Sequence, residues 1–282
     1  MYSFEQMLVS CALSVAATVA GLAAFRLSPV YPAIRELISK LIVGWKFGAD
    51  EQARLRSSYE RIVAARKSIL DQATTDQLNK LYHQLDVWRD LRWLGVQTIK
   101  NPADAWMMQQ IITEIRPDCI VETGTRRGGS ALFFALILEG LQLDEAKVIT
   151  IDVESLIEEV SRHPLFRKRV DFILGSSTDS AVVSAIAARV RGKKTVVFLD
   201  SDHRKAHVLR ELEMYAPLVN PGSYLVVEDT NLDGVPISPE EGPGAFAAVE
   251  EFLATNRNFR RDLSREAFVL TWNPGGWLQR VD

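Results

Sequence analysis

The sequence predicts an α/β domain, a mostly parallel sheet wound by helices on both faces with a final antiparallel strand, preceded by N-terminal helices. Three observations carry this. From about residue 103 onward, short apolar runs alternate with helical stretches. Each run stops at a polar or glycine-rich cluster. Near the C-terminus, Asn273-Pro274-Gly275-Gly276 separates two further apolar segments, a hairpin signal.

The elements follow in order. Cys119-Ile120-Val121 ends the first strand, a glycine loop follows, and residues 131–141 read as a helix. Val148-Ile149-Thr150-Ile151 is the second strand and stops at Asp152. The third, Val170 to Leu174, stops at Gly175-Ser176-Ser177. Thr195 to Leu199 runs into Asp200, and Tyr224 to Val227 runs into Glu228-Asp229. Helices are expected at about 179–190 and 205–218, and a last pair of strands at Phe268 to Thr271 and Trp277 to Gln279. Such a Rossmann-like sheet binds its ligand outside the carboxyl ends of the strands, where these clusters lie.

Three regions are expected: an apolar segment at 1–26, a helical region at 27–95 and the sheet domain at 96–282. About nineteen residues from Met7 to Phe25 carry no charge, close to the length of a bilayer-spanning helix. No basic residue precedes them, so they do not read as a secretory signal. Arg26, Arg35, Lys40 and Lys46 follow, which places the large part on the cytoplasmic face of a membrane, or in the cytoplasm if the segment is not inserted. Ala, Ser, Thr and Gly dilute the segment, so a buried or interfacial helix is the competing reading. With 24% charged residues, net charge -3 and no basic stripe, no nucleic-acid partner is expected. Two cysteines, Cys11 and Cys119, make neither a metal cluster nor a disulfide framework.

The loop Val121 to Ser130 has glycines spaced G-x-x-x-G-G, unlike the G-x-G-x-x-G of a dinucleotide site. Gly124, Gly128 and Gly129 allow tight turns and close approach to a ligand, and Ser130 is placed to cap the next helix. Glu122 sits at the head of the loop. A carboxylate there suits S-adenosylmethionine, which has no phosphate but carries an ammonium and a sulfonium. Asp152 is placed to accept both ribose hydroxyls, and Ser176 and Ser177 to meet the adenine or to cap a helix. The expected cofactor contacts are Glu122, Gly124, Thr125, Gly128, Ser130, Asp152, Ser176, Ser177 and Asp200.

Asp200-Ser201-Asp202-His203 and Glu228-Asp229 gather four carboxylates and an imidazole at one sheet edge. Carboxylates so placed repel unless a cation or protons neutralise them, and oxygen ligands suit Mg²⁺, Mn²⁺ or Ca²⁺. Such an ion could hold a substrate hydroxyl and lower its pKa while a base takes the proton. His203, beside Asp202, is the first candidate for that base and His207 the reserve. Trp88, Trp93 and Trp106 read as core anchors, with Trp106 also near the entrance of the cofactor loop.

Across about residues 95–282 the chain resembles the cephalosporin hydroxylase family of S-adenosylmethionine-dependent proteins, which includes rhamnosyl O-methyltransferases. The segments that carry the resemblance are Lys100 to Asp104, Arg116-Pro117-Asp118, Glu122 to Ser130, Gly175 to Asp179, Leu199 to His203, Glu211-Leu212, Gly222-Ser223-Tyr224, Val227 to Thr230 and Asn273 to Leu278. The resemblance implies a class I methyltransferase fold and a Mg²⁺ (or Mn²⁺) site formed by Asp202, Glu228 and Asp229. It also implies cofactor contacts at Glu122, Gly124, Ser130 and Asp152, and a homo-oligomer.

The expected activity is therefore Mg²⁺-dependent O-methylation of a hydroxyl on a sugar, glycolipid or natural product. One alternative is a cephalosporin-hydroxylase-like oxygenase, whose ferrous site would want two histidines and a carboxylate on one metal. Another is a membrane-tethered S-adenosylmethionine-binding protein without turnover. Residues 230–250, rich in Gly and Pro, read as a loop that closes over the acceptor.

Overall fold

A computed structural model describes residues 72–232 and 236–282, together with Ser57 and Arg61. The chain divides into two compact units, residues 1–52 and 53–282, and the second is described by itself. The apolar segment at 7–25 and most of the region 27–95 lie outside the described residues. Among the described residues, no helix is long and apolar enough to cross a membrane.

Helix α1, Gln72–Gln84, is followed by a two-stranded hairpin, β1 (Arg92–Trp93) and β2 (Val96–Gln97). Helix α2, Pro102–Ile115, starts at Asn101, whose Oδ1 accepts from the Ala103 N–H at 2.8 Å, with Pro102 at the first helical position. There follow β3 (Cys119–Thr123), α3 (Gly129–Gly140), β4 (Lys147–Asp152), α4 (Pro164–Arg169), β5 (Val170–Leu174), α5 (Ser180–Val190), β6 (Thr195–Leu199), α6 (Lys205–Tyr215), β7 (Tyr224–Val227), α7 (Ala245–Thr255), β8 (Phe259–Arg261) and β9 (Trp277–Arg280).

One seven-stranded sheet has the order β5-β4-β3-β6-β7-β9-β8. The first five strands run parallel, while β9 is antiparallel to both β7 and β8. Strands β3 and β6 are buried along their whole length, which is why they read as unbroken apolar runs rather than alternating ones. Successive side chains still point to opposite faces. Ile120, Val196, Phe198 and Val226 enter one core with Met107, Met108, Leu132 and Phe134 of α2 and α3. Val121, Val197, Leu199 and Leu225 enter the other with Ile186, Leu212 and Val249 of α5, α6 and α7. The Cys119 thiol belongs to this second core, and burial pushes it up to about 12.

The chain leaves β3 toward β4 and β5, then crosses back to β6. That reversal opens a crevice at the carboxyl ends of β3 and β6, the usual ligand position in such sheets.

Three expectations are corrected. Residues 268–271 form no strand, because both edges of β9 are taken by β7 and β8, and Thr271 and Trp272 instead bond to Asp104 on α2. The expected loop 230–250 ends early, since α7 already begins at Ala245. Trp106 is no core anchor, being 61% exposed on α2, whereas Trp93 packs edge-on against Phe133 with ring centroids 5.0 Å apart.

Candidate functional site

A cleft of about 780 Å³ lies over the carboxyl ends of β3, β4 and β6. Gly124, Asp152, Ser176, Ser177, Asp200, Asp202, His203 and Asp229 line it, as do Arg126 and Arg127. Glu122, Thr125, Gly128, Ser130 and Glu228 are buried and form none of its wall.

The glycine loop is shaped by its neighbours as much as by any ligand. Gly124 has φ +86, and a Cβ there would stand 1.8 Å from the Asp200 carbonyl oxygen. Only glycine lets the exit of β3 pass so close to the end of β6. A Cβ on Gly128 would meet Val160 at 2.8 Å, and one on Gly129 would meet the Gln97 carbonyl oxygen at 2.3 Å. These two glycines therefore seat α3 against its surroundings. Ser130 does not cap α3: Gly128 holds the cap position, and the Ser130 hydroxyl bonds to Glu122.

Glu122 lies behind the loop, fully buried. Its Oε2 accepts from Thr150 Oγ1 at 2.6 Å, and Thr150 Oγ1 in turn lies 2.6 Å from Thr125 Oγ1. Burial pushes the Glu122 carboxyl up to about 7, against the opposing pull of Lys100. At the end of β4, the Asp152 carboxylate accepts the Arg126 N–H at 2.7 Å and the Glu154 N–H at 3.0 Å. Each oxygen keeps a second lone pair. Ser176 Oγ lies 3.1 Å from Thr178 Oγ1.

At the ends of β6 and β7 the acids converge on one cation. Lys100 Nζ, 5% exposed, donates to Asp200 Oδ2 and, at 2.8 Å, to Glu228 Oε2. Burial opposes the charge on Lys100, yet Asp200, Glu228 and Glu122 together hold its ammonium protonated well beyond the usual lysine range. Glu228 is pushed well above the usual carboxylate range by burial first and by Asp200 second. It keeps its charge only with a cation at hand. Glu228 Oε1 is buried without a hydrogen-bond partner.

Asp200, His203 and Asp229 each offer an atom within 4.8 Å of the others'. His203 Nε2 lies 3.3 Å from Asp229 Oδ2. Asp202, expected in this group, turns to Arg204. Its oxygens accept from Arg204 Nε at 3.0 and 2.9 Å and from the Arg204 N–H at 2.9 Å, and this bonding lowers its carboxyl to about 2. Arg204 is 81% exposed and Asp202 27%, so the pair lies at the rim of the cleft with its cation in solvent.

The two histidines separate cleanly. His207 Nε2 is committed to a polar network, 3.2 Å from Ser177 Oγ, 3.1 Å from Ser201 Oγ and 3.5 Å from Glu211 Oε1. The Glu211 hydrogen bond raises its pKa from the ordinary histidine value, against the opposing effect of burial. His203 faces the acidic cluster instead.

Sequence reasoning missed the role of Lys100. The available signal was chemical: an acid-rich sheet edge needs a counter-cation, and Lys100 stands just before the α2 cap. Its pairing with a residue 128 positions away has no local signature.

A family model described as Rhamnosyl O-methyltransferase/CmcI matches residues 85–281. The Rhamnosyl O-methyltransferase of Mycobacterium tuberculosis (strain ATCC 25618 / H37Rv) is 36% identical over 215 residues, 74% of this chain and 85% of that protein. The protein of the same name from Mycobacterium leprae (strain TN) is 34% identical over 211 residues, 73% of this chain and 90% of that protein. The solved structure described as cmcI-D160 Mg-SAM superposes with a TM-score of 0.54 at 20% identity, covering 69% of this chain and 78% of the other. That described as cmcI-N160 SAH gives 0.53 at 18%, covering 70% and 85%. At such identities the likeness is one of fold.

Proposed function

From the premise that this chain belongs to the rhamnosyl O-methyltransferase/CmcI family, we propose that it transfers the methyl group of S-adenosylmethionine to a hydroxyl of a sugar or glycolipid, assisted by Mg²⁺. The observation that carries the chemistry is the convergence of Asp200, Asp202, His203 and Asp229 on the wall of the cleft that also holds Gly124 and Asp152. The substrate class rests on the rhamnosyl O-methyltransferase relatives.

The residues fit both groups. For the cofactor, Asp152 would offer carboxylate lone pairs to the ribose hydroxyls, and Ser176 and Ser177, which line the same cleft, would meet the adenine. For the cation, Asp229 belongs to two candidate ligand sets. One is the group gathered in the structure, and the other is Asp202, Glu228 and Asp229, the set named by the resemblance. The partnerless Oε1 of Glu228 favours the second, and Arg204, the partner that Asp202 would exchange for the ion, is 81% exposed. A bound divalent ion would supply a Lewis acid that lowers the pKa of an acceptor hydroxyl. Bound S-adenosylmethionine would offer an electrophilic methyl group, its sulfonium leaving as the neutral thioether of S-adenosylhomocysteine. His203 Nε2, held 3.3 Å from Asp229, would take the acceptor proton as the O–CH₃ bond replaces the C–S bond. The cleft would hold acceptor and cofactor side by side, so that positioning dominates the rate.

Incubating the purified protein with S-adenosylmethionine and a panel of deoxysugar glycosides tests this. The expected result is S-adenosylhomocysteine formed only with an acceptor, lost with EDTA and restored by Mg²⁺. Turnover indifferent to EDTA overturns the metal. No product with any acceptor favours a binding protein without turnover, and a requirement for oxygen favours the oxygenase. The membrane reading of residues 7–25 rests on their length without charge. Release of the full chain from membranes by carbonate overturns it.

A further inference from the structure

We propose that Asn273 is a positioning residue that holds Asp229 in the backbone conformation from which its carboxylate meets His203 and Asp200; this rests on the cation reading above. Asp229 has φ +54, a left-handed conformation that costs energy for a residue with a Cβ and persists where the surroundings over-determine it.

The surroundings here are specific. The Asp229 N–H donates to Asn273 Oδ1 at 2.9 Å. A reversed carboxamide would set two donors against each other, so this bond fixes the amide's orientation. Asn273 is itself held: its N–H donates to Thr271 Oγ1 at 3.0 Å, and Thr271 Oγ1 donates to Asp104 Oδ1 at 2.6 Å. Asp104 Oδ2 accepts the Trp272 N–H at 2.7 Å. On either side of Asp229 the same segment clamps the chain, with Val227 N–H to the Gly276 carbonyl at 2.8 Å and Asn231 N–H to the Trp272 carbonyl at 3.0 Å. Asn273, Thr271 and Asp104 are each at most 3% exposed, so they meet neither acceptor nor cofactor in the cleft and act through Asp229. The turn that the sequence presents as a hairpin thus serves as a clamp on a candidate ligand.

The test measures Mn²⁺ affinity by electron paramagnetic resonance, S-adenosylmethionine affinity by calorimetry and melting temperature for the whole protein and its variants. Asn273→Ala is expected to weaken Mn²⁺ binding by about tenfold or more, in the range found for groups that orient metal ligands. Cofactor affinity should stay within about twofold. Unchanged Mn²⁺ affinity in Asn273→Ala overturns the positioning role. So does an equal loss of Mn²⁺ binding, cofactor binding and melting temperature. Unchanged Mn²⁺ affinity in Asp229→Asn instead overturns the cation reading beneath it. If Asn273→Ala does not fold, Thr271→Val is judged by the same three measurements.

Discussion

Lys100 and Glu228, 128 positions apart, form an ion pair of 2.8 Å in which each side chain is 5% exposed. The same ammonium also bonds to Asp200, so one lysine compensates two of the acids at the mouth of the sheet. The capped start of α2 delivers it there: Asn101 caps the helix, and Lys100 is the residue before. Removing one member of such a pair leaves charge buried without a partner, a far larger penalty than the pair's own net worth.

Lys100→Met should therefore destabilise the fold by about 3 to 5 kcal/mol, read from urea unfolding. Added Mg²⁺ should recover more stability in this variant than in the wild type, because a second cation can replace the first. A variant as stable as the wild type would show that Lys100 does not compensate these acids.

Gly124→Ala should lose cofactor affinity by more than tenfold in calorimetry. The new methyl would collide with the Asp200 carbonyl oxygen at 1.8 Å, on a backbone already at φ +86. Gly192→Ala is the control. It shares a positive φ of +73 but faces open space, so it should bind the cofactor normally.

The Glu122 carboxyl, raised by burial to about 7 from 4.5, favours the folded state when protonated. That contribution is present below about pH 4.5 and is lost as pH rises through about 7. Glu122→Gln keeps the shape without the titration. Its unfolding free energy relative to the wild type should improve by about 2 to 3 kcal/mol between pH 5 and 8, at about 1.4 kcal/mol per pKa unit. A constant difference across that range would show that Glu122 does not titrate there.

Asp229→Asn should abolish Mn²⁺ binding whichever ligand set holds. Asp200→Asn and Asp202→Asn then decide between the sets, since the ligand's loss should cost at least tenfold in affinity and the other's should not. If neither matters, the cation lies elsewhere.

His203→Gln should lower kcat by about 10² to 10⁴, as loss of a general base does, with Mn²⁺ affinity retained where Asp202, Glu228 and Asp229 hold the cation. His207→Gln should act chiefly on stability, because its imidazole is spent on Ser177, Ser201 and Glu211. The opposite pattern would exchange their roles.

The parallel strands were legible because each is a largely apolar run that stops at glycine or acidic residues, fully buried in the middle of the sheet and half-exposed at its edge. Val170–Leu174, Thr195–Leu199 and Tyr224–Val227 have the bounds expected of them. Strand β8, Phe259–Arg261, was not legible, since three residues of mixed polarity become a strand only when β9 supplies the partner. The segment 268–271 failed in the opposite direction. Its β-branched and aromatic residues suit a strand, but a buried carboxylate, Asp104, claims Thr271 and the Trp272 N–H.

The sequence by itself determined the sheet, the crevice and the inventory of acids and histidines around it, because apolar periodicity and strand-end chemistry are local. Only the tertiary structure decided which of those groups face one another. Asp202 turns to its neighbour Arg204, Glu228 to Lys100, and His203 rather than His207 to Asp229. Those choices depend on contacts between distant segments and on burial, which sets the energetic cost of every unpaired charge. Neither can be read along the chain.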